Sequence, residues 1–299
     1  QPFLYRGEGD RFREIATNLG LIPLLPSEPF VIDPESMGVA FGDIDQDGFV
    51  DLHVANYRYQ FDVLYQSFGG DYFQYDEALG DTANAWGFQA VFCDLDNDMD
   101  LDIYVANDFG FNFFFENQGA EGGYELVETA EIMNIAGDEN QAASPKAMSM
   151  GLAIADYDND LDLDIYVTTF LLNALYRNDG PIGRNGTWKF TDVAQESGVE
   201  YPLNCWGTDF VDLDNDTDLD LIQTSGFIYS SLFNQPYEIP DQVWLNDGPE
   251  SGWTFTAVSE DVGFSSTQMG RGLATGDIDR DGDIDVIVTN NSYYAPTYD

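Results

Sequence analysis

Apolar and acidic positions follow one another along this chain in a phrase that occurs five times. The copies are GVAFGDIDQDGFVDLHVAN from Gly38, QAVFCDLDNDMDLDIYVAN from Gln89, GLAIADYDNDLDLDIYVTT from Gly151, GTDFVDLDNDTDLDLIQTS from Gly207 and GLATGDIDRDGDIDVIVTN from Gly272. Each enters on an apolar run, crosses a stretch with aspartate at every second position, and leaves on an alternating run. That pattern predicts two strands joined by a short polar loop. A second pair follows in each unit. Its first strand carries an aromatic phrase, VLYQ at Val63, FFFEN at Phe113, ALYRN at Ala174 or VWLN at Val243. After a glycine-bearing turn, its second strand begins near Tyr72, Tyr124, Trp188 or Trp253.

Each repeat therefore reads as four antiparallel strands, and the first aspartates at 43, 94, 156, 212 and 277 set a period of roughly 60 residues. The expected fold is all-β, a β-propeller of four-stranded blades, forming one domain over 1–299 with blades near 38–80, 86–136, 149–200, 205–264 and 269–299. Residues 4–21 look like a second hairpin with no first hairpin before them, and the fifth unit stops where its second hairpin would begin. The expectation is five blades, with the hairpin within 3–21 completing the last one and burying two open sheet edges. The alternative is part of a seven-bladed propeller.

Composition narrows the function. The 299 residues carry 55 Asp and Glu against 10 Lys and Arg, a formal charge of −45, yet 22 Phe, 17 Tyr and 5 Trp supply enough apolar surface for a core. Nucleic-acid binding needs clustered cations and is excluded on this balance. No apolar run reaches the roughly 20 residues of a membrane helix, so direct membrane insertion is not expected, and the first residues lack a signal peptide's basic start.

The acidic loops carry coordination chemistry in their spacing. Aspartates at loop positions 1, 3, 5 and 9, with a main-chain carbonyl expected from position 7, surround one point with oxygens, as a hard cation taking 6 to 8 oxygens requires. The expected ion is calcium, about five in all. The side-chain ligands would be Asp43, Asp45, Asp47 and Asp51; Asp94, Asp96, Asp98 and Asp102; Asp156, Asp158, Asp160 and Asp164; Asp212, Asp214, Asp216 and Asp220; and Asp277, Asp279, Asp281 and Asp285. At position 6, Gly48 and Gly282 allow positive φ, whereas Met99, Leu161 and Thr217 would be strained there. The pattern thus fits loops one and five better than loops two to four.

With its Gly-Val-Ala-Phe-Gly-Asp run at 38–43, the counterparts ending at Asp94, Asp156, Asp212 and Asp277, and the LYRN-type hairpins, the chain resembles the FG-GAP/VCBS repeat family. The resemblance implies a propeller like that of integrin alpha heads and many bacterial secreted proteins, with calcium pinning the loop between the first two strands of each blade. Most such propellers act in adhesion or as scaffolds, and some relatives are lectins or carbohydrate lyases.

Catalysis finds little support in the residues. The single histidine, His53, follows an acidic loop in a strand and reads as a packing or surface residue, so a Ser/His/Asp triad has no base. Cys93 and Cys205 stand at different depths of non-adjacent units and read as buried thiols rather than a disulfide. Trp86 and Trp206 each precede a glycine at the head of a first strand and are expected to pack near the axis. The connection from Ser225 to Gln242, expected on the face opposite the metal loops, carries Phe227, Tyr229, Phe233 and Tyr237 as candidates for binding a protein or glycan. Asn185, Asn215 and Asn290 open glycan-acceptor triplets, of which Asn215 lies inside a metal loop. The functional expectation is a secreted or cell-surface binding, adhesion or assembly module, because weak flexible sites of this type fill where calcium approaches millimolar. A carbohydrate-binding lectin or polysaccharide lyase is the alternative.

Overall fold

The computed structural model of the chain describes residues 5–7, 12–14, 35–57, 61–69, 72–76, 79, 85–137, 148–182, 186–227, 236 and 238–291. A short hairpin, β1 (Tyr5–Gly7) and β2 (Phe12–Glu14), comes first. Blade one comprises β3 (Glu35–Gly42), β4 (Asp51–Tyr57), β5 (Val63–Phe68) and β6 (Tyr72–Asp76). Blade two comprises β7 (Gly87–Cys93), β8 (Asp102–Asn107), β9 (Phe113–Asn117) and β10 (Leu126–Glu128). Blade three comprises β11 (Ser149–Ala155), β12 (Asp164–Thr169), β13 (Ala174–Ile182) and β14 (Thr187–Asp192). Blade four comprises β15 (Cys205–Val211), β16 (Asp220–Ser225), β17 (Gln242–Asn246) and β18 (Phe255–Ala257). The fifth unit contributes β19 (Gly270–Gly276) and β20 (Asp285–Asn290).

Strands pair antiparallel in chain order inside each blade, giving four four-stranded sheets and the two-stranded sheets β1-β2 and β19-β20. The expected blade is thus the observed one. Among the described residues β2 pairs only with β1 and β20 only with β19, and no pairing that closes the array is seen there.

Consecutive blades pack through their first strands, β3 on β7, β7 on β11, β11 on β15 and β15 on β19. The alternation of β7, β11 and β15 points one set of side chains at the preceding blade and the other at the following one. Ala90 and Phe92 meet Ala40 of blade one; Leu152 meets Val91 and Cys93 of blade two; Phe210 meets Ala153 and Ala155 of blade three; Leu273 meets Val211 of blade four. Glycine makes the approach possible. A Cβ at Gly151 would stand 2.0 Å from the Trp206 carbonyl oxygen, and one at Gly207 2.8 Å from that of Arg271. Beside these contacts the Thr168 hydroxyl donates to the Trp206 carbonyl at 2.5 Å and the Thr224 hydroxyl to that of Arg271 at 3.0 Å. Where glutamine replaces glycine at Gln89, its side-chain oxygen accepts from the Leu152 amide of the next blade at 3.1 Å.

Two one-turn helices, α1 (Ala130–Met133) and α2 (Ala194–Ser197), follow the fourth strands of blades two and three, ending on residues with φ of 70° and 84°. Cys93 and Cys205 are free and buried, as expected. His53 is fully buried in β4, at the place where Tyr104 and Tyr166 stand in the next two blades. No helix among the described residues is long and apolar enough to cross a membrane.

Candidate metal centres

Each acidic loop folds around its first aspartate. Asp43, Asp94, Asp156, Asp212 and Asp277 accept the position-5 amide with one oxygen and the position-6 amide with the other, the latter at 2.9–3.1 Å. Accepting at position 6 requires the chain to turn left-handed there. Gly48 and Gly282 do so at φ 90° and 96°, and Met99, Leu161 and Thr217 do so at 75°, 79° and 82°. All five loops thus share one backbone, and the three side chains bear the strain of about 1 kcal/mol each, with Met99 and Leu161 turned out to solvent.

Position 9 is the brace. One oxygen of Asp51, Asp102, Asp164, Asp220 and Asp285 accepts the position-2 amide, that of Ile44, Leu95, Tyr157, Leu213 and Ile278. The other oxygen, in blades one to four, accepts an amide at the end of the third strand, from Ser67, Asn117, Asn178 or Asn246. Asp51, Asp102, Asp164 and Asp220 are consequently buried, whereas Asp285 is exposed.

The folding brings positions 1, 3 and 9 together. In each loop one carboxylate oxygen from each of the three lies within 4.8 Å of the others: Asp43, Asp45, Asp51; Asp94, Asp96, Asp102; Asp156, Asp158, Asp164; Asp212, Asp214, Asp220; Asp277, Asp279, Asp285. Position 5 is not in these clusters. Asp47, Asp98, Asp160, Asp216 and Asp281 each use one oxygen to accept the position-7 amide.

Burial and neighbouring carboxylates act together on these groups. They push Asp102 and Asp164 up to about 8, Asp96 to about 7, and Asp51, Asp158 and Asp220 to about 6. Asp158 Oδ1 is buried with no hydrogen-bond partner among the described residues, an acceptor oriented among acceptors. Such a set consists only of oxygen donors, which fits a hard divalent cation.

The loops also link blades. Position 4, left-handed throughout, carries Gln46, Asn97, Asn159, Asn215 and Arg280. The first four donate to the position-7 carboxylate of the next loop: Gln46 to Asp100 at 2.7 Å, Asn97 to Asp162 at 2.5 Å, Asn159 to Asp218 at 3.1 Å and Asn215 to Asp283 at 3.2 Å. A second link starts from the third strand. Asn117, Asn178 and Asn246 donate across the seam to the position-2 carbonyls of Ile44, Leu95 and Tyr157, at 2.8–3.0 Å. Each also donates to the position-8 carbonyl of its own blade. Recurrent amides at these places were visible in the sequence, but their role as inter-blade donors was not anticipated.

At the other end of the first strands, Trp206 is buried against Met148, Met150 and Phe170, while Trp86 packs at 5.0 Å from Tyr57 and 4.4 Å from Phe109. The Arg271 guanidinium lies 3.9 Å over the Trp206 ring and donates to the carbonyls of Gly270 and Phe227, and burial pulls it down to about 10. Phe227 itself is half-buried, and Tyr229, Phe233 and Tyr237 lie outside the described residues.

Blades of four strands stacked through their first strands, each with an aspartate loop between strands one and two, define a propeller-type repeat protein. The FG-GAP-like repeat matches residues 43–105, 94–167 and 156–222, and the chain belongs to this repeat family. No curated protein matches it. Among solved structures, BBS1N in complex with ARL6DN, from a crystal soaked with lead, is similar with a TM-score of 0.42 and 12% identity, covering 89% of this chain and 63% of that one.

Proposed function

We propose that the chain is a calcium-stabilised, non-catalytic binding or assembly module working outside the cell or at its surface, in adhesion or scaffolding. The observation that carries this reading is the double duty of the acidic loops. The same backbone that gathers three carboxylates also holds the position-4 donor against the next blade. An ion in one loop would then stiffen a seam as well as a blade, an arrangement suited to calcium-rich surroundings. Bracing hydrogen bonds and ion binding together would engage the carboxylates of the loops, and the one histidine is buried away from solvent. Calcium titration by calorimetry, paired with melting in calcium and in EDTA, tests the proposal. Saturable binding of about five ions with a raised Tm supports it, and an unchanged Tm sinks it.

A second reading is favoured by the half-buried aromatic cluster of Tyr57, Trp86, Phe88 and Phe109, which offers rings for stacking sugars away from the acidic loops. A glycan array, followed by an assay for unsaturated products from uronic-acid polymers, separates this lectin or lyase reading from the first.

A further inference from the structure

One place in the third strand changes charge from blade to blade. Gln66, Glu116, Arg177 and Leu245 stand directly before Ser67, Asn117, Asn178 and Asn246, whose backbone amides satisfy the position-9 aspartates. All four are half-buried. Side chains alternate along β9, so that Phe115 and Asn117 face blade one while Phe114 and Glu116 face blade three. In β13 the same alternation turns Asn178 to Leu95 of blade two and Arg177 toward blade four. Position 2 of the loop faces that way too, since Tyr157 stacks on Phe210 of blade four at 6.2 Å.

Charge at this place reaches position 3 of the acidic loop in the same blade. Asp96 is pushed up to about 7 by burial first, then by Asp98 and Glu116. Asp158 is pushed up by burial, Asp160 and Asp156, but Arg177 pulls it back, and it stands at about 6. Where the third strand carries neutral Gln66 or Leu245, the main influences on Asp45 and Asp214 come from burial and their own loops. Both charged side chains are also tethered. Gln118 donates to Glu116 Oε1 at 3.1 Å. Arg177 donates through Nε and Nη2 to Asp179 Oδ1 at 3.0 and 2.8 Å, and the other oxygen of Asp179 accepts from the Thr191 hydroxyl. Even so, Asp158 Oδ1 stays buried without a hydrogen-bond partner among the described residues, so the guanidinium offsets charge without filling the site.

We propose that this third-strand residue grades the metal loops, Glu116 making loop two a tighter calcium site and Arg177 making loop three a weaker one. Glu116 adds a carboxylate beside loop two. Arg177 is a standing cation that does part of the ion's work when calcium is absent and opposes the ion when it arrives. A unit charge a few ångström from a divalent ion changes its affinity about tenfold in half-buried surroundings. The inference rests on the calcium reading and goes beyond it by ranking the sites.

The test melts the full chain in EDTA and in calcium, alongside calorimetric titration with calcium alone. Glu116→Gln should weaken one site about tenfold, raise Tm in EDTA by relieving repulsion, and shrink the rise in Tm that calcium gives. Arg177→Gln should do the reverse on all three counts. Leu245→Gln, at the same place in blade four and without a charge change, should shift both melts alike. If Glu116→Gln and Arg177→Gln also shifted both melts alike, their role would be structural and the proposal would be overturned. Should Arg177→Gln lose its cooperative melt, Arg177→Met, which keeps the packing of the stem, takes its place with the same expectation. A wild-type Tm indifferent to calcium would sink the calcium reading and this inference with it. A wild type that responds, with both charge variants gaining as much from calcium as it does, would overturn this inference alone.

Discussion

Asn178 donates a hydrogen bond to the carbonyl of Leu95, 83 residues earlier in the chain, at 3.0 Å. The same amide donates to Leu163 of its own blade, its oxygen accepts the Gly180 amide, and its backbone N–H satisfies Asp164. One side chain thus ties together a loop, a third strand and the neighbouring blade. No residue but asparagine offers two donors and an acceptor at this length.

Asn178→Ala should therefore cost about 2–4 kcal/mol, since it leaves two buried carbonyls unpaired. Ser67→Ala, at the matching site of blade one, removes no such bridge and should cost well under half as much. Urea unfolding of both variants, compared by midpoint, checks the contrast.

In the calcium-free protein the raised carboxyls give stability an acid preference. A group whose folded pKa lies above its unfolded value stabilises most below the unfolded value, near 3.8, and loses that contribution as pH rises through the folded value. For Asp51 and Asp220 that is about 6, and for Asp102 and Asp164 about 8. In EDTA, Tm should fall as pH rises from about 4 to about 8. In calcium the trend should reverse over the upper half of this range, because ion binding displaces those protons. Calorimetry at neutral pH should show proton release, read from the buffer dependence of the heat. A Tm in EDTA that rises with pH would contradict the assignment.

Leu161→Gly should stabilise the protein by about 0.5–1 kcal/mol, because the left-handed backbone at φ 79° is strained for leucine and free for glycine, and the side chain is exposed. Gly48→Ala, at φ 90°, should do the opposite. Thermal melts of the pair decide whether backbone conformation governs position 6.

Gly151→Ala should be severe, about 2–4 kcal/mol, since the new methyl would meet the Trp206 carbonyl and the Thr168 hydroxyl. Gly272→Ala should cost about 1 kcal/mol or less, having only the Thr289 hydroxyl nearby. Equal losses would mean that the Gly272 face is already packed.

Much of this was readable beforehand. Period-two alternation around the aspartates gave the four-stranded unit, and the different depths of Cys93 and Cys205 gave two buried thiols. Residue propensity misled at position 6, where Met99, Leu161 and Thr217 follow the glycines because the amide there is committed to the first aspartate. The repeat phase suggests a closing hairpin, but phase carries no pairing register, and among the described residues β2 pairs only with β1. The one-turn helices α1 and α2 are too short to leave a 3.6-residue period. Asn215 matched a glycan-acceptor triplet, yet its side-chain nitrogen is engaged with Asp283 of the next unit.

The seam donors all point the same way along the chain, from position 4 of one loop to position 7 of the next. The repeats are therefore not interchangeable bricks. Duplicating an inner unit such as blade two, three or four would insert a piece with matching edges on both sides. Moving the first unit inward would place Phe49 and Ser67 in a seam that needs Asp and Asn. Gene rearrangements that lengthen or shorten such an array should accordingly keep copies of the inner units and leave the first one in place.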